Sequence, residues 1–241
     1  MKLDQRTILI TGGSSGIGLA LAERLVRSNN RVIVTGRRAE LLVEAAAKVP
    51  GIITEVSDVG DPQARVRLVA TLTERYPELD VVINNAGIQR HVDLVASEPW
   101  AETQSELAIN LEGPIHLAAL FIPHLLKRPA ATLINVSSGL AFAPIARMPI
   151  YCATKAALHS FTLSLRHQLR ATSVEVVEII PPAVYSNLGG SHQFGVPTDE
   201  YADSVMAQLA EGRPEITYQF STEAAQGSRA THDAIFARMN G

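Results

Sequence analysis

Short apolar runs alternate along the chain with segments whose apolar residues recur at helical spacing. The first run, Thr7–Ile10, has no polar alternation, which is typical of a strand with both faces covered. Further strands are predicted at Arg31–Thr35, Ile52–Val56, Val81–Asn84, Thr132–Ser137, Ser173–Ile180 and, more weakly, Glu215–Tyr218.

The segments between these runs predict helices. They are Ile17–Val26, Ala39–Lys48, Asp61–Tyr76, Trp100–Lys127, Tyr151–Arg170 and, near the end, Thr231–Met239. Strands alternating with helices form βαβ units, whose right-handed crossovers give a parallel sheet. We therefore predict an α/β fold in a single domain over residues 1–241: a Rossmann-like, doubly wound parallel sheet of about seven strands with helices on both faces. A (β/α)8 barrel would need more strand–helix units than the sequence contains.

The two longest helical segments carry more apolar surface than one sheet face readily buries. Within Trp100–Lys127, a stripe fits either the core or a subunit contact: Leu117, Leu120, Phe121 and Leu125. Trp100 itself is expected to open the helix and to pack beneath it. Because such surfaces usually close in symmetric assemblies, we predict a homodimer or a homotetramer.

Composition excludes several classes of protein. Of 241 residues, 46% are hydrophobic and 19% are charged, a globular balance, and the formal net charge of -3 gives no general attraction for nucleic acid. The one cysteine, Cys152, cannot form an internal disulfide, and the seven histidines show no metal-ligand spacing. No secretory signal and no spanning segment of ~20 apolar residues is visible. We expect a cytoplasmic protein with no metal, no nucleic-acid partner and no membrane insertion.

A glycine-rich turn, TGGSSGIG over Thr11–Gly18, connects the first strand to the first helix. Glycines there let the backbone approach a pyrophosphate, whose charge the helix N-terminus stabilises. The spacing of Gly12, Gly16 and Gly18 is G-x-x-x-G-x-G, and by itself it fits a tight strand–helix connection equally well. Its place on the first βα turn favours a dinucleotide site.

Three side chains suggest proton exchange with a carbonyl oxygen. Tyr151 and Lys155 are four positions apart and share one helix face, so that the ammonium can stabilise a phenolate. Ser138 follows the fifth strand, at the sheet edge where ligands of such folds bind. Each feature alone fits a surface Tyr–Lys pair or a strand-capping serine. Together, downstream of the glycine turn, they favour the functional interpretation.

The ordered set of motifs resembles the classical short-chain dehydrogenase/reductase family over about Thr7 to Ser186. The motifs are TGGSSGIG (11–18), NNAG (84–87), Asn110, Ser138 and YCATK (151–155). The segments SGLAF (138–142), YCATKAALHSF (151–161) and LRHQLR (165–170) are further similar to the DltE-type oxidoreductases.

The resemblance implies an oxidoreductase that transfers a hydride between a nicotinamide cofactor and a small carbonyl or alcohol substrate. Tyr151 would be the general acid/base, Lys155 would lower its pKa and bind the nicotinamide ribose, and Ser138 would orient the substrate oxygen. Asn110, in a helix that Gly113-Pro114 must distort, would hold a water that links Lys155 to solvent.

The end of the second strand bears on the choice of cofactor. It reads Gly36-Arg37-Arg38 with no acidic residue before Glu40, so a 2′-phosphate is favoured over a free ribose hydroxyl. The alternative is that the two arginines begin a solvated helix. We predict NADP(H) as the preferred cofactor, with NAD(H) possible. The expected cofactor-binding residues are Gly12, Ser14, Ser15, Gly16, Ile17, Gly18, Arg37, Arg38, Asp58, Val59, Asn85, Ala86, Gly87, Tyr151, Lys155, Pro181, Val184 and Ser186.

The segment after the sixth strand departs from the family pattern. Pro181-Pro182 replaces the usual Pro-Gly pair and Ser186 replaces a threonine, so we expect this wall of the site to differ in shape. The aperiodic stretch 181–198 is the expected substrate loop. The residues expected around the substrate are Leu140, Phe142, Val184, Tyr185, His192 and Phe194.

Two other functions remain open on the sequence. One is a nucleotide-binding scaffold without catalysis, which the presence of all four catalytic-type residues disfavours. The other is an epimerase or dehydratase of the extended relatives, which have a TGxxGxxG turn and a sizeable C-terminal domain. This chain of 241 residues leaves no room for such a domain.

Overall fold

The computed structural model describes residues 3–96, 100–186, 188–190 and 194–241. Within these ranges one sheet contains seven strands: β1 Thr7–Thr11, β2 Arg31–Gly36, β3 Ile52–Val56, β4 Val81–Asn84, β5 Ala131–Val136, β6 Val174–Ile180 and β7 Glu215–Thr217. Their order is β3-β2-β1-β4-β5-β6-β7, and every neighbouring pair is parallel. The predicted doubly wound fold is confirmed. Its order reverses between β1 and β4, where a crevice opens at the carboxyl ends of the strands.

The described helices cover both faces of the sheet. They are α1 Gly16–Arg27, α2 Ala39–Lys48, α3 Pro62–Arg75, α4 Trp100–Leu107, α5 Gly113–Leu125, α6 Pro149–Leu169, α7 Thr198–Ala210, α8 Phe220–Gln226 and α9 Arg229–Asn240. The pattern predicts no helix over α7, which packs on α1. The predicted terminal helix lies within α9.

Alternate residues of the central strands point into two separate apolar layers. In β1, Ile8 and Ile10 lie in one layer and Leu9 in the other, and all three are fully buried. Leu25 of α1 belongs to the first layer and Phe121 of α5 to the second. Burial on both sides explains why the strand sequence shows no polar alternation.

The long helix predicted over Trp100–Lys127 is interrupted. A π-helical turn, Ala108–Glu112, separates α4 from α5, and it carries Asn110. Pro114 follows at once and lacks the N–H that a continuous helix would require. The interruption therefore reflects the Gly113-Pro114 pair noted in the sequence.

The side chains of this segment are only partly placed as expected. Leu117, Phe121 and Leu125 are buried within the chain and belong to the core, whereas Leu120 is half-buried. Trp100 opens α4, but 64% of it is exposed, so the prediction that it packs beneath the helix is wrong. It stands at the first position of α4, before the part of the segment that meets the sheet.

Candidate active site

A cleft of about 1290 Å³ runs along the edge of the sheet where the parallel strands end. Ser138 and every predicted cofactor-binding residue except Gly18 line it. Asn110 and Gly18 lie behind the lining. Among the residues expected around the substrate, Leu140, Val184 and Phe194 line the cleft, whereas Phe142 and Tyr185 do not. His192 lies outside the described residues.

The glycine turn presents the start of α1 to the cleft. Gly16 has φ +54°, a left-handed backbone that favours glycine. Ser15 makes no side-chain capping bond, and the first turn of α1 contains no acidic residue. The backbone N–H groups at this helix end are therefore available to an anion, and the residues present fit a pyrophosphate.

Gly18 has a packing role instead. A Cβ atom at this position would lie 2.5 Å from Nδ2 of Asn85 and 2.6 Å from the carbonyl oxygen of Gly12. No side chain fits there without moving the turn. Gly18 therefore lets α1 approach the end of β4 closely, which holds the turn in place.

The NNAG segment fastens the end of β4 to the glycine turn. Asn85 donates from Nδ2 to the carbonyl oxygens of Thr11 at 2.9 Å and of Gly12 at 3.1 Å. The Thr11 hydroxyl accepts from the N–H groups of Asn85 and Ala86. Asn84 donates to Asn135 on β5 at 2.9 Å. These contacts give Asn84 and Asn85 a structural role at the ends of β4 and β5.

The end of β2 places two arginines at the cleft. Arg37 and Arg38 are exposed, and neither side chain forms an ion pair or hydrogen bond with any residue in the described ranges. Gly36 lies between them and the turn, with Ser14 Oγ 3.4 Å from the position of a Cβ atom. Two unpaired guanidinium groups beside open space fit a phosphate.

Tyr151, Ser138 and Lys155 meet at the other end of the cleft. Tyr151 and Lys155 are buried on one face of α6, and the Ser138 side chain lies near enough to the Tyr151 hydroxyl to lower its pKa. Ser138 Oγ accepts from the N–H of Leu140 at 3.1 Å. Lys155 Nζ lies 5.7 Å from the centroid of the Tyr151 ring and donates to the carbonyl oxygen of Val136 at 2.8 Å.

Burial has the largest effect on the pKa values of Tyr151 and Lys155. It raises the pKa of Tyr151 above the ordinary value, and the nearby Ser138 side chain offsets this only in part. The predicted lowering of this pKa by Lys155 stays a prediction; its ammonium donates to the Val136 carbonyl. Burial lowers the pKa of Lys155 to about 8, against the opposing charges of Glu178 and Glu106. At neutral pH, Tyr151 is thus a proton donor beside a cation.

Asn110 connects three parts of the site. Its Oδ1 accepts from the N–H of Ile88 at 2.8 Å, and its Nδ2 donates to the carbonyl oxygen of Ile88 at 2.8 Å and to Thr154 Oγ1 at 3.4 Å. The side chain is thus occupied in tying the π-helical turn to the loop after β4 and to α6. The predicted water-holding role of Asn110 stays a prediction.

Sequence reasoning missed several neighbours of the site. Gln219, Phe220 and Met239 line the cleft from the C-terminal part of the chain, where no motif marks them. Gln219 has φ +48°, which is uncommon for a residue with a side chain. Two buried acids behind the lining, Glu106 and Glu178, were also missed. The only signal for Glu106 is its spacing, one helical turn before Asn110.

Comparisons with known proteins agree with this geometry. The family model described as short chain dehydrogenase matches residues 6–193. The chain belongs to the short-chain dehydrogenase/reductase family. This dehydrogenase/reductase is 45% identical over 248 residues to the uncharacterized oxidoreductase DltE of Bacillus subtilis (strain 168). The alignment covers 100% of this chain and 98% of the relative. It is therefore an oxidoreductase enzyme, and the predicted similarity to DltE is confirmed.

Two solved structures have the same fold as this dehydrogenase/reductase. A short chain dehydrogenase from Burkholderia cenocepacia J2315 in complex with NADP has a TM-score of 0.85 and 25% identity, covering 99% of both chains. A short chain dehydrogenase/reductase from Burkholderia phymatum in complex with NAD has a TM-score of 0.83 and 21% identity, covering 99% of this chain and 93% of that one. Both likenesses agree with the doubly wound fold described above.

Two further observations concern the described part of the chain only. No helix in it is long and apolar enough to cross a bilayer. No three His, Cys, Asp or Glu side chains in it converge as metal ligands would.

Proposed function

We propose that this protein is an NADP(H)-dependent oxidoreductase that interconverts a carbonyl group and an alcohol, with Tyr151 as general acid/base. The observation that carries the proposal is that Ser138, Tyr151 and buried Lys155 line the same cleft as the glycine turn. A protonated phenol in reach of a substrate oxygen is the group that such a reaction needs.

The cleft divides naturally into cofactor subsites. When bound, NADP(H) would supply the hydride, which no side chain can provide. The glycine turn would hold the pyrophosphate, Arg37 and Arg38 the 2′-phosphate, and Asp58 and Val59 the adenine. The residues proposed to border the rest of the cofactor are Asn85, Ala86, Gly87, Lys155, Pro181, Val184 and Ser186.

The side chains of this protein would position the substrate oxygen and transfer the proton. Ser138 would donate a hydrogen bond to the substrate oxygen and fix its position beside the Tyr151 hydroxyl. Tyr151 would give its proton to that oxygen during reduction and take it back during oxidation. The nearby positive charge of Lys155 would stabilise the phenolate that forms. Asn110 would support this arrangement by holding the π-helical turn against α6.

The substrate is proposed to have an apolar body. Beyond Ser138 the cleft is lined by Leu140, Ile145, Met148 and Leu188. Residues 181–198 would act as the substrate loop, and in the described part of this segment Val184 and Val196 form a bridge that shapes it. Ketones with aliphatic or aromatic substituents suit such a wall better than strongly hydrated sugars.

A screen for NADPH consumption tests the proposed function. The purified protein is mixed with NADPH and with a chemically diverse set of aldehydes and ketones, and the loss of NADPH absorbance is followed. We expect turnover with some members of the set, chiefly those with apolar substituents. Tight NADPH binding without turnover on any compound would instead favour the non-catalytic scaffold.

The protein is further proposed to be a cytoplasmic homodimer or homotetramer. Leu163 on α6 is 42% exposed and Leu126, at the end of α5, is 45% exposed, and Leu120 on α5 is half-buried. A symmetric contact through these helices would cover them. Sedimentation at micromolar concentration is expected to give a mass of two or four chains, whereas a particle of one 25.9 kDa chain would contradict it.

A further inference from the structure

Glu106 is a fully buried acid to which the proposed function gives no role. It lies in α4, one helical turn before Asn110, and its relative exposure is 0%. Neither of its carboxylate oxygens accepts a hydrogen bond of normal geometry from any residue in the described ranges. Because a buried carboxylate normally has such partners, its isolation points to a function.

The charged and titratable groups around Glu106 come from two other elements. In the loop after β4, the N–H of Arg90 approaches the carboxylate without hydrogen-bond geometry, while the Arg90 side chain contacts Glu102 instead. On α6, the pKa values of Tyr151 and Lys155 are both raised by the charge of Glu106, as is that of Cys152. α4 packs on α6, and Asn110, one turn after Glu106, donates to Thr154 next to Lys155, so Glu106 lies near the proposed catalytic pair.

A second buried acid shows what is unusual about Glu106. Glu178 on β6 is also fully buried and also raises the pKa of Lys155. Both of its oxygens are partnered, however, one by the hydroxyl of Ser137 and the other by Nδ1 of His159 at 2.8 Å. Hydrogen bonds account for Glu178 within the fold, whereas they do not account for Glu106.

Burying Glu106 as a carboxylate has a cost in free energy, which shows as a raised pKa. Burial raises its pKa to about 6, although the charges of Arg90 and Lys155 act in the opposite direction. At neutral pH the side chain is nonetheless ionised. A negative charge in the protein interior, with little water to screen it, acts strongly on neighbouring cations.

We propose that Glu106 is a positioning residue that acts through Lys155: its buried negative charge, added to that of Glu178, keeps the Lys155 ammonium protonated through neutral pH, next to Tyr151. This inference rests on the role proposed for Lys155 in the reaction. A charge of this kind shifts the titration of its neighbour by about one pH unit. Loss of the Glu106 charge would therefore let Lys155 lose its proton at a lower pH.

The direct test is a titration of Lys155 in the full-length protein without turnover. Lys155 is one of four lysines, with Lys2, Lys48 and Lys127, so ¹³C-labelled lysine gives few NMR signals to resolve. In the wild type we expect Lys155 to titrate with a midpoint near pH 8. In Glu106→Gln the midpoint should fall by about one pH unit.

Two matched variants separate charge from shape. Glu106→Asp keeps the negative charge and should retain a midpoint close to that of the wild type. Glu74→Gln removes an exposed carboxylate of α3 and should leave the midpoint unchanged. An unchanged Lys155 midpoint in Glu106→Gln would overturn the proposal.

If Glu106→Gln does not fold, the wild-type titration decides. A second inflection of the Lys155 signal near pH 6, where Glu106 ionises, supports the coupling, and a single inflection overturns it.

Activity gives an independent readout. The alkaline limb of kcat should move to lower pH in Glu106→Gln and return in Glu106→Asp. An equal loss of activity at every pH would mean a merely structural role and would also overturn the proposal.

The outcome for Glu106 is distinguishable from the outcome for the proposed function. If no carbonyl compound consumes NADPH, the oxidoreductase proposal fails, yet the NMR midpoint still reports on the coupling between Glu106 and Lys155. If turnover occurs and the midpoint does not move, only the inference about Glu106 fails.

Discussion

Replacing Tyr151 by phenylalanine is expected to slow the chemical step by ~10²–10⁴-fold, because the ring stays and the transferable proton is lost. Tyr151 is 6% exposed and lines the cleft together with Ser138, so the substitution removes one hydroxyl group and little volume. NADPH should still bind. Single-turnover kinetics under saturating NADPH measures the step itself, separate from cofactor affinity.

A matched substitution controls for the loss of a phenolic hydroxyl as such. Tyr76, at the end of α3, lies outside the cleft, and Tyr76→Phe should react at the wild-type rate. If Tyr151→Phe kept most of the wild-type single-turnover rate, another group would have to supply the proton, and the assignment of Tyr151 would be abandoned.

The second large effect concerns the choice of cofactor. Replacing Gly36 by Asp and Arg37 by Leu should weaken NADPH binding by ~2–4 kcal/mol, or ~30- to ~900-fold, and should affect NADH far less. The Arg37 side chain is the proposed donor to the 2′-phosphate, and the carboxylate introduced at position 36 would repel that phosphate. Fluorescence titration of both cofactors measures the difference.

The control for this variant is an arginine outside the cleft. Arg229 begins α9 and its side chain is 91% exposed, so Arg229→Leu removes the same charge far from the proposed phosphate subsite. Its NADPH affinity should match that of the wild type. Equal affinity of the wild-type protein for NADH and NADPH would refute the predicted preference.

The sheet could be predicted because its strands are buried on both faces and their composition shows it. β3 and β4 have the predicted bounds, and the weak run at Glu215 is a short strand at the edge of the sheet, β7. Helix α7 was harder to find, because it follows an aperiodic loop. In the helical stretch predicted after Trp100, the Gly113-Pro114 pair indicates a distortion, but the pattern of apolar residues does not reveal that it is a π-helical turn.

The candidate site, like the fold, could be predicted only in part from the sequence. Motif residues such as Gly12 and Ser138 lie within two residues of a strand end, so the parallel topology brings them to one edge of the sheet. Glu106 could not be recognised, because one acid in a helix is usually solvated and only the packing of α4 against α6 buries this one. Phe220 and Met239 reach the cleft from C-terminal helices that have no motif.

The central claim is that this cleft transfers a hydride between a nicotinamide and a carbonyl carbon while Tyr151 transfers the proton. The most direct measurement uses NADPH deuterated at C4 of the nicotinamide, with a carbonyl compound that the screen identifies, and mass spectrometry of the alcohol formed. We predict that the alcohol from the wild type contains one deuterium on the former carbonyl carbon and that Tyr151→Phe forms almost none of this product. An alcohol without deuterium, or saturable NADPH binding with no alcohol from any compound, would contradict the account.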